Sequence, residues 1–359
     1  MNRKHLGIGV GIAVLAAVAF VVYRWHTSGF AWNEFTAALT NVDWIWLALS
    51  VVLVLLTYVG RALRWEVMVR PLRKDASLWR ILKATAIGFT AVVLFGRAGE
   101  PVRPYLIAKQ EDVSFSSQIA AWLVERILDL LMVLVVFGIA LSQVSHSAIQ
   151  PGPRIAFWLE AGGYVAGFTG VVSLALLIGL AHFRGGVQRR LVGALSFLPR
   201  PMLGRIEVFL VSFEGGMQSM RSVGYTMILV AYTIVEWCVI AAAFGCVFKA
   251  FPATSKLGLI DIVIALGFIA FGSAVQVPGV GGGMQIATVL VLTEFFGITL
   301  ETASGIALVL WIVTFVEIVP IGLALAFHEG IKWRSLRHLD EAAGPAGRPT
   351  ERNAEEANQ

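Results

Sequence analysis

Nine apolar runs, at residues 6–23, 44–59, 81–95, 119–141, 155–182, 226–249, 259–277, 284–297 and 303–327, leave this 359-residue chain few ways to fold. A hydrocarbon core about 30 Å thick is crossed by about 20 apolar residues in helix, so runs like these read as membrane-embedded helices. The overall balance agrees: 57% of residues are hydrophobic and 14% charged, and the mean hydropathy is +0.78, outside the range of soluble globular chains. The fold class expected is therefore all-α, a polytopic membrane helix bundle. One membrane domain should cover residues 1–327, followed by a polar tail, 328–359, with the composition of a disordered cytoplasmic segment. The first run follows Arg3 and Lys4, as a secretory signal would. It is long for a signal, however, and Tyr23-Arg24-Trp25 is no small-residue cleavage site, so it reads as an uncleaved span.

Lys and Arg set the orientation, because positive loops stay cytoplasmic. Arg61, Arg64, Arg70, Arg73, Lys74 and Arg80 mark one inner loop, and Arg184, Arg189, Arg190, Arg200, Arg205 and Arg221 another. Arg3 and Lys4 at one end and Lys332, Arg334 and Arg337 at the other place both termini inside. An even number of crossings must separate the two inner loops, yet three apolar runs lie between them. The short run 81–95 is then one arm of a re-entrant hairpin entering from the cytoplasm. After residue 226 the pair 259–277 and 284–297 either crosses twice or dips in from outside. If it dips, the order of span, hairpin and span occurs twice in opposite orientations, the pattern of an inverted repeat. Residues 203–221 carry Ile206, Leu210, Phe213, Met217 and Met220 at helical spacing and should lie on the inner surface.

Three constellations carry candidate chemistry. Arg97, Glu100 and Arg103 sit in a Gly-Pro turn at the end of run 81–95, where guanidinium groups suit bidentate contact with phosphate oxygens. Glu125, Arg126 and Asp129 interrupt the run 119–141. A charge at that depth costs about 2.5–3.5 kcal/mol on the lenient insertion scale, so these side chains must face protein or water. Arg126 can neutralise one of the two carboxylates, either as a purely structural ion pair or as part of a functional site. The third is Gln276-Val-Pro278-Gly279-Val-Gly281-Gly282-Gly283, a helix break whose glycines let backbone approach a ligand or a neighbouring helix. Without Lys-Ser or Lys-Thr after it, it is no nucleotide-binding loop. Glu236, Glu294 and Glu317 are further carboxylates in apolar runs, readable as proton-coupling groups or as hydrogen-bonded structural ones.

Other chemistries are disfavoured. The six histidines form no cluster, and there is no His-Glu-x-x-His, no Gly-x-Ser-x-Gly and no dense aspartate motif. No metal, cofactor or catalytic residue is expected. Cys238 and Cys246 are eight residues apart in one run, about 12 Å along a helix and beyond disulfide reach. The net charge of +5 suits anionic headgroups rather than nucleic acid, since no basic stretch is interleaved with aromatics.

The order Arg97-Ala-Gly-Glu100-Pro-Val-Arg103, Glu125-Arg126-Ile-Leu-Asp129 and Pro278-Gly-Val-Gly-Gly resembles the flippase-like transmembrane family of lysylphosphatidylglycerol synthases, from about Trp44 to Phe327. In that family an acidic residue commonly follows the glycine turn; here Met284 and Gln285 stand there. The resemblance implies a multi-pass cell-membrane protein that moves or handles lipids. No aminoacyl-transfer domain follows, so lipid aminoacylation is not expected. The reading is a lipid translocase for an anionic or polar headgroup, with Arg97, Glu100, Arg103, Glu125, Arg126, Asp129, Pro278, Gly279, Gly281 and Gly282 lining the substrate site. Its partners are membrane lipids, and a homo-oligomer is compatible with the sequence. A membrane-embedded lipid-modifying enzyme, or an accessory subunit of one, is the alternative.

Overall fold

A computed structural model describes residues 29–146, 153–181, 194, 200–217, 223–273, 276–277 and 281–330. The expected first span at 6–23, Pro278 and Gly279, the basic residues Arg184, Arg189, Arg190 and Arg221, and the tail beyond 330 lie outside them. The described chain is helical apart from one two-residue ladder: α1 (Trp32–Thr40), α2 (Trp44–Val69), α3 (Leu78–Phe95), α4 (Val102–Glu111), α5 (Phe115–His146), α6 (Pro153–Ala181), α7 (Arg200–Gly216), α8 (Val223–Ala250), α9 (Leu259–Gly272), β1 (Gln276–Val277), β2 (Gly281–Gly282), α10 (Gly283–Glu294), α11 (Leu300–Trp311) and α12 (Ile318–His328). Among them six helical stretches are long and apolar enough to cross a membrane, while α9 and α10 are shorter.

Side-chain and backbone contacts fix the direction of each helix. In α2 and α8, Asp43 N–H bonds the Ala250 carbonyl and the Ser50 hydroxyl bonds that of Ala243 at one end, while Arg61 meets Glu236 further along. These two helices are antiparallel neighbours. The end of the bundle bearing Val69 is called here the near face, and the end bearing Trp44 the far face.

Helix α3 enters from the near face and would be long enough to cross, but the chain comes back. A 3₁₀ turn, Gly96–Gly99, reverses it into α4. Gly99 is packed so closely on the backbone of Ala91 that a Cβ would collide, and Gly88 is packed equally closely on Arg103. Eight residues further, at the base, Glu111 accepts both the Ser77 N–H and a bidentate contact from Arg80, Nε at 2.8 Å and Nη2 at 3.0 Å. Arg80 and Glu111 are each eight residues, about 12 Å, from the Gly88–Arg103 contact, as two antiparallel arms require. The run 81–95 is the deep arm of a hairpin that begins and ends at the near face.

Helix α5 then crosses to the far face and α6 returns beside it, with Gly162 against Phe137 and Gly170 against Leu134. Helix α7 ends against the near end of α5, where Gly216 lies on Ser117 and Ala120. Ile206, Leu210, Phe213 and Met217 form its less exposed stripe, as their spacing predicted. After α8 reaches the far face, α9 and α10 make a second hairpin from that side. Gly272 touches Gly283 and Ala287, and the ladder pairs Gln276 with Gly282 and Val277 with Gly281 at its tip. Of the two topologies that parity allows, the chain adopts the dip. Helices α11 and α12, joined by a π-helical turn at Ile312–Val316, go back to the near face. There Lys83 of α3 bonds Glu329.

The order α2, α3–α4, α5 therefore recurs as α8, α9–α10, α11–α12 with every direction reversed. The packing obeys the same exchange. Helix α3 packs on α12 as α9 packs on α5, α4 on α5 as α10 on α11, and α2 on α3 as α8 on α9; α2 and α8 pair with each other. This is an inverted repeat in geometry. Two apolar cores accompany it, one around Trp65, Ile87 and Ile107 and the other around Phe248, Ile269 and Leu292.

Two residues counted as inner-loop charges belong to the bundle instead. Helix α2 continues ten residues past the apolar run, so Arg61 and Arg64 lie within it, and Arg64 is 0% exposed. The run of apolar side chains stops at Val59, but helical hydrogen bonding does not.

Candidate functional site

Three helices meet at Arg64: α2, which bears it, and α5 and α8, which supply its partners. Its Nη1 donates to Asp129 Oδ1 at 2.7 Å and to Thr233 Oγ1 at 3.0 Å, and its Nη2 donates to Glu125 Oε1 at 2.7 Å and Asp129 Oδ2 at 3.2 Å. The single turn between Glu125 and Asp129 on α5 puts both carboxylates within the fork of one guanidinium. Glu125 is fully buried and is also held by Arg103, whose Nη2 and Nη1 stand 2.5 and 3.2 Å from its two oxygens. Arg103 is brought there because Gly88 lets α4 lie directly on α3.

Aromatic rings wall this centre. Arg103 stacks over Trp65 at 4.0 Å and lies 5.0 Å from Phe89, whose ring also carries Arg61 at 4.5 Å. Trp65 is oriented in turn by its indole N–H, which donates to Gln118 Oε1 at 2.9 Å. Such cation–π contacts are worth about 2 kcal/mol when desolvated, and they help to hold guanidinium groups within an apolar bundle. Arg61 Nε donates to Glu236 Oε1 at 2.6 Å, and Glu236 Oε2 lies 3.5 Å from Arg64 Nη1, which joins the second half of the fold to the cluster.

Arg126 is the open member. Its side chain is 39% exposed and stands 3.4 Å from Asp129 and 3.6 Å from Glu125, longer than the bonds made by Arg64. Its Nε is enclosed with no hydrogen-bond partner among the described residues. Arg61 and Asp129 are the other partly open groups, at 19% and 18%. Four guanidinium groups, Arg61, Arg64, Arg103 and Arg126, thus face three carboxylates, Glu125, Asp129 and Glu236, and one positive charge is left over.

Of the sequence-predicted residues, Arg103, Glu125, Arg126 and Asp129 come together. Arg97 and Glu100 stand at the tip of the near hairpin, Arg97 exposed and Glu100 half-buried. Gly281 and Gly282 form the ladder at the tip of the opposite hairpin. Glu236 joins the cluster, whereas Glu294 ends α10 and Glu317 begins α12, after the π turn. Arg61 and Arg64 were missed as site residues because arginine after an apolar run signals a loop. The signal that could have found them is their spacing: Tyr58, Arg61 and Arg64-Trp65 follow one another at three- and four-residue intervals on one helical face.

No described group of His, Cys, Asp and Glu has the geometry of a metal site. What the centre offers is a set of guanidinium groups, two of them buried and held by carboxylates, with one edge open. No curated protein and no solved structure matches the chain. The model of the family described as the lysylphosphatidylglycerol synthase TM region matches residues 8–322, which takes in the first half of the repeat, the second as far as the start of α12 and all seven charged side chains of the cluster, and this chain belongs to that family of multi-pass membrane proteins.

Proposed function

We propose that the protein is a lipid translocase, not an enzyme, and that the arginine-rich centre receives the anionic headgroup of a membrane lipid. The observation that carries this reading is the surplus positive charge with Arg126 open beside it. An unbalanced charge inside a membrane domain is costly unless an anion completes it. A phosphate supplies the missing charge and oxygen acceptors in a geometry that guanidinium groups bind well. Two hairpins entering from opposite faces support an alternating-access cycle in which one half of the repeat rocks against the other. We assign the near face to the cytoplasm of a cell membrane, because Arg70, Arg73, Lys74 and Arg80 gather there.

The test is leaflet exchange of fluorescent phosphatidylglycerol in vesicles that hold only this protein. Exchange should exceed that of protein-free vesicles, and Arg126→Leu should lower it about tenfold, the loss of one charge-assisted contact. Exchange unchanged by that substitution would remove the headgroup from this site. A chemically altered lipid accumulating in the vesicles would instead favour a lipid-modifying enzyme, with Glu125 or Asp129 as acid or base.

A further inference from the structure

One carboxyl, on a half-buried residue, stands apart from the ion-pair network. Glu317 follows the π turn, and neither of its oxygens has a hydrogen-bond partner among the described residues, although both are enclosed. The hydroxyl of Thr314, one turn before it, is also enclosed and unpartnered. An ionised carboxylate without hydrogen bonds is among the costliest groups to keep in such a place, whereas a carboxylic acid needs far less. π turns of this kind occur often at functional sites, because they break the helical register to aim a side chain.

The neighbours of Glu317 lead to the cluster. Helix α2 brings Tyr58 to the same turn, where its hydroxyl lies 3.5 Å from the Thr314 carbonyl. Arg61 is the next charged group on that face, 5.6 Å from the Tyr58 ring, and beyond it stands Glu236 of α8. Helix α3 packs on α12; its Lys83 is bound to Glu329 at the other end of α12, and Arg97 stands in the turn that follows α3. The acidic groups on α1 and α10, Glu34 and Glu294, sit toward the far face with Glu301. Arg61 is thus the cation on α2 that stands next to Tyr58, on the side of Glu317, while its Nε is bound to Glu236.

We propose that Glu317 is a proton-binding site whose proton and the anionic headgroup bind together. With Glu317 neutral, the cluster keeps its surplus positive charge and attracts an anion. When the proton is lost to water, Glu317 becomes a fourth carboxylate, draws on Arg61 and cancels that surplus, so the headgroup is released. By linkage each ligand raises the affinity for the other. The linked half of this proposal rests on the translocase reading; the proton site itself does not.

Two measurements decide it. Infrared difference spectra of the purified protein between acidic and alkaline buffer should show a protonated-carboxyl band that is lost in Glu317→Gln. A band that survives the substitution, or no band in the wild type, overturns the proton site whether or not lipid moves. Binding of phosphatidylglycerol to the protein in nanodiscs should weaken as pH rises for the wild type and become independent of pH in Glu317→Gln, which mimics the neutral acid. Equal pH dependence in both proteins overturns the linkage. If the wild type binds no anionic lipid at any pH, the translocase reading and the linkage fall together, and the infrared band still decides the proton site. Glu317→Met, of similar volume and without a carboxyl, replaces the glutamine variant in the infrared measurement if that variant does not fold.

Discussion

The two halves of this molecule share an architecture and differ in chemistry. In the first, the hairpin α3–α4 presents Arg103 to a cluster built on α2 and α5, and its base is tied by Arg80 and Glu111. In the second, the hairpin α9–α10 has a tip of glycines and glutamines, with Gln285 Oε1 accepting from the Gly282 N–H at 2.7 Å, and it brings no charge to the centre. The second half contributes Thr233 and Glu236 from one of its spans instead. An inverted repeat therefore does not imply two equivalent sites. Apolar periodicity and parity build each half, while the placement of a few ionisable residues ties one hairpin to the charged cluster and leaves the other a packing element.

The difference is open to direct attack. The largest expected effect is from Arg64→Leu, which takes the central guanidinium from Glu125 and Asp129 and strands charge in the first half. Unfolding in detergent should show a loss of about 3–5 kcal/mol, with much of it restored in Arg64→Leu/Asp129→Leu, where no unpaired carboxylate is left at Asp129. A single variant as stable as wild type would mean that the cluster does not hold the first half together.

A middle-sized effect tests what the halves share. Gly99→Ala and Gly272→Ala each push a methyl group into a tightly packed hairpin partner, the Ala91 backbone in one case and Ala287 in the other. Both should cost about 1–3 kcal/mol in the same unfolding measurement. If only Gly99→Ala is destabilising, the second hairpin is loosely packed and the geometric equivalence is superficial. The smallest effect belongs to Arg126→Leu. Its side chain is 39% exposed and its contacts are long, so the stability change should stay below about 1 kcal/mol even where lipid exchange falls. A loss as large as that of Arg64→Leu would make Arg126 a structural member of the cluster.

Much of the fold was already determined by sequence. The apolar runs mark which segments lie in the membrane, and the side on which Lys and Arg fall, with parity, requires the run 81–95 to turn back. The charges of Glu125, Arg126 and Asp129 in an apolar helix require buried partners, whatever the neighbours. The identity of those partners was not determined. Sequence spacing offers Arg126, three residues before Asp129, as the natural counterion; the folded protein gives that place to Arg64, 65 positions away from Asp129, and leaves Arg126 at the open edge. Local spacing reports only what one helix can reach. Which guanidinium is buried depends on the register of α2 against α5 and α8, set by contacts such as Ser50 with Ala243 and Trp65 with Gln118, and on how closely Gly88 allows Arg103 to approach. Those are distances between helices far apart in sequence, and only tertiary packing decides them.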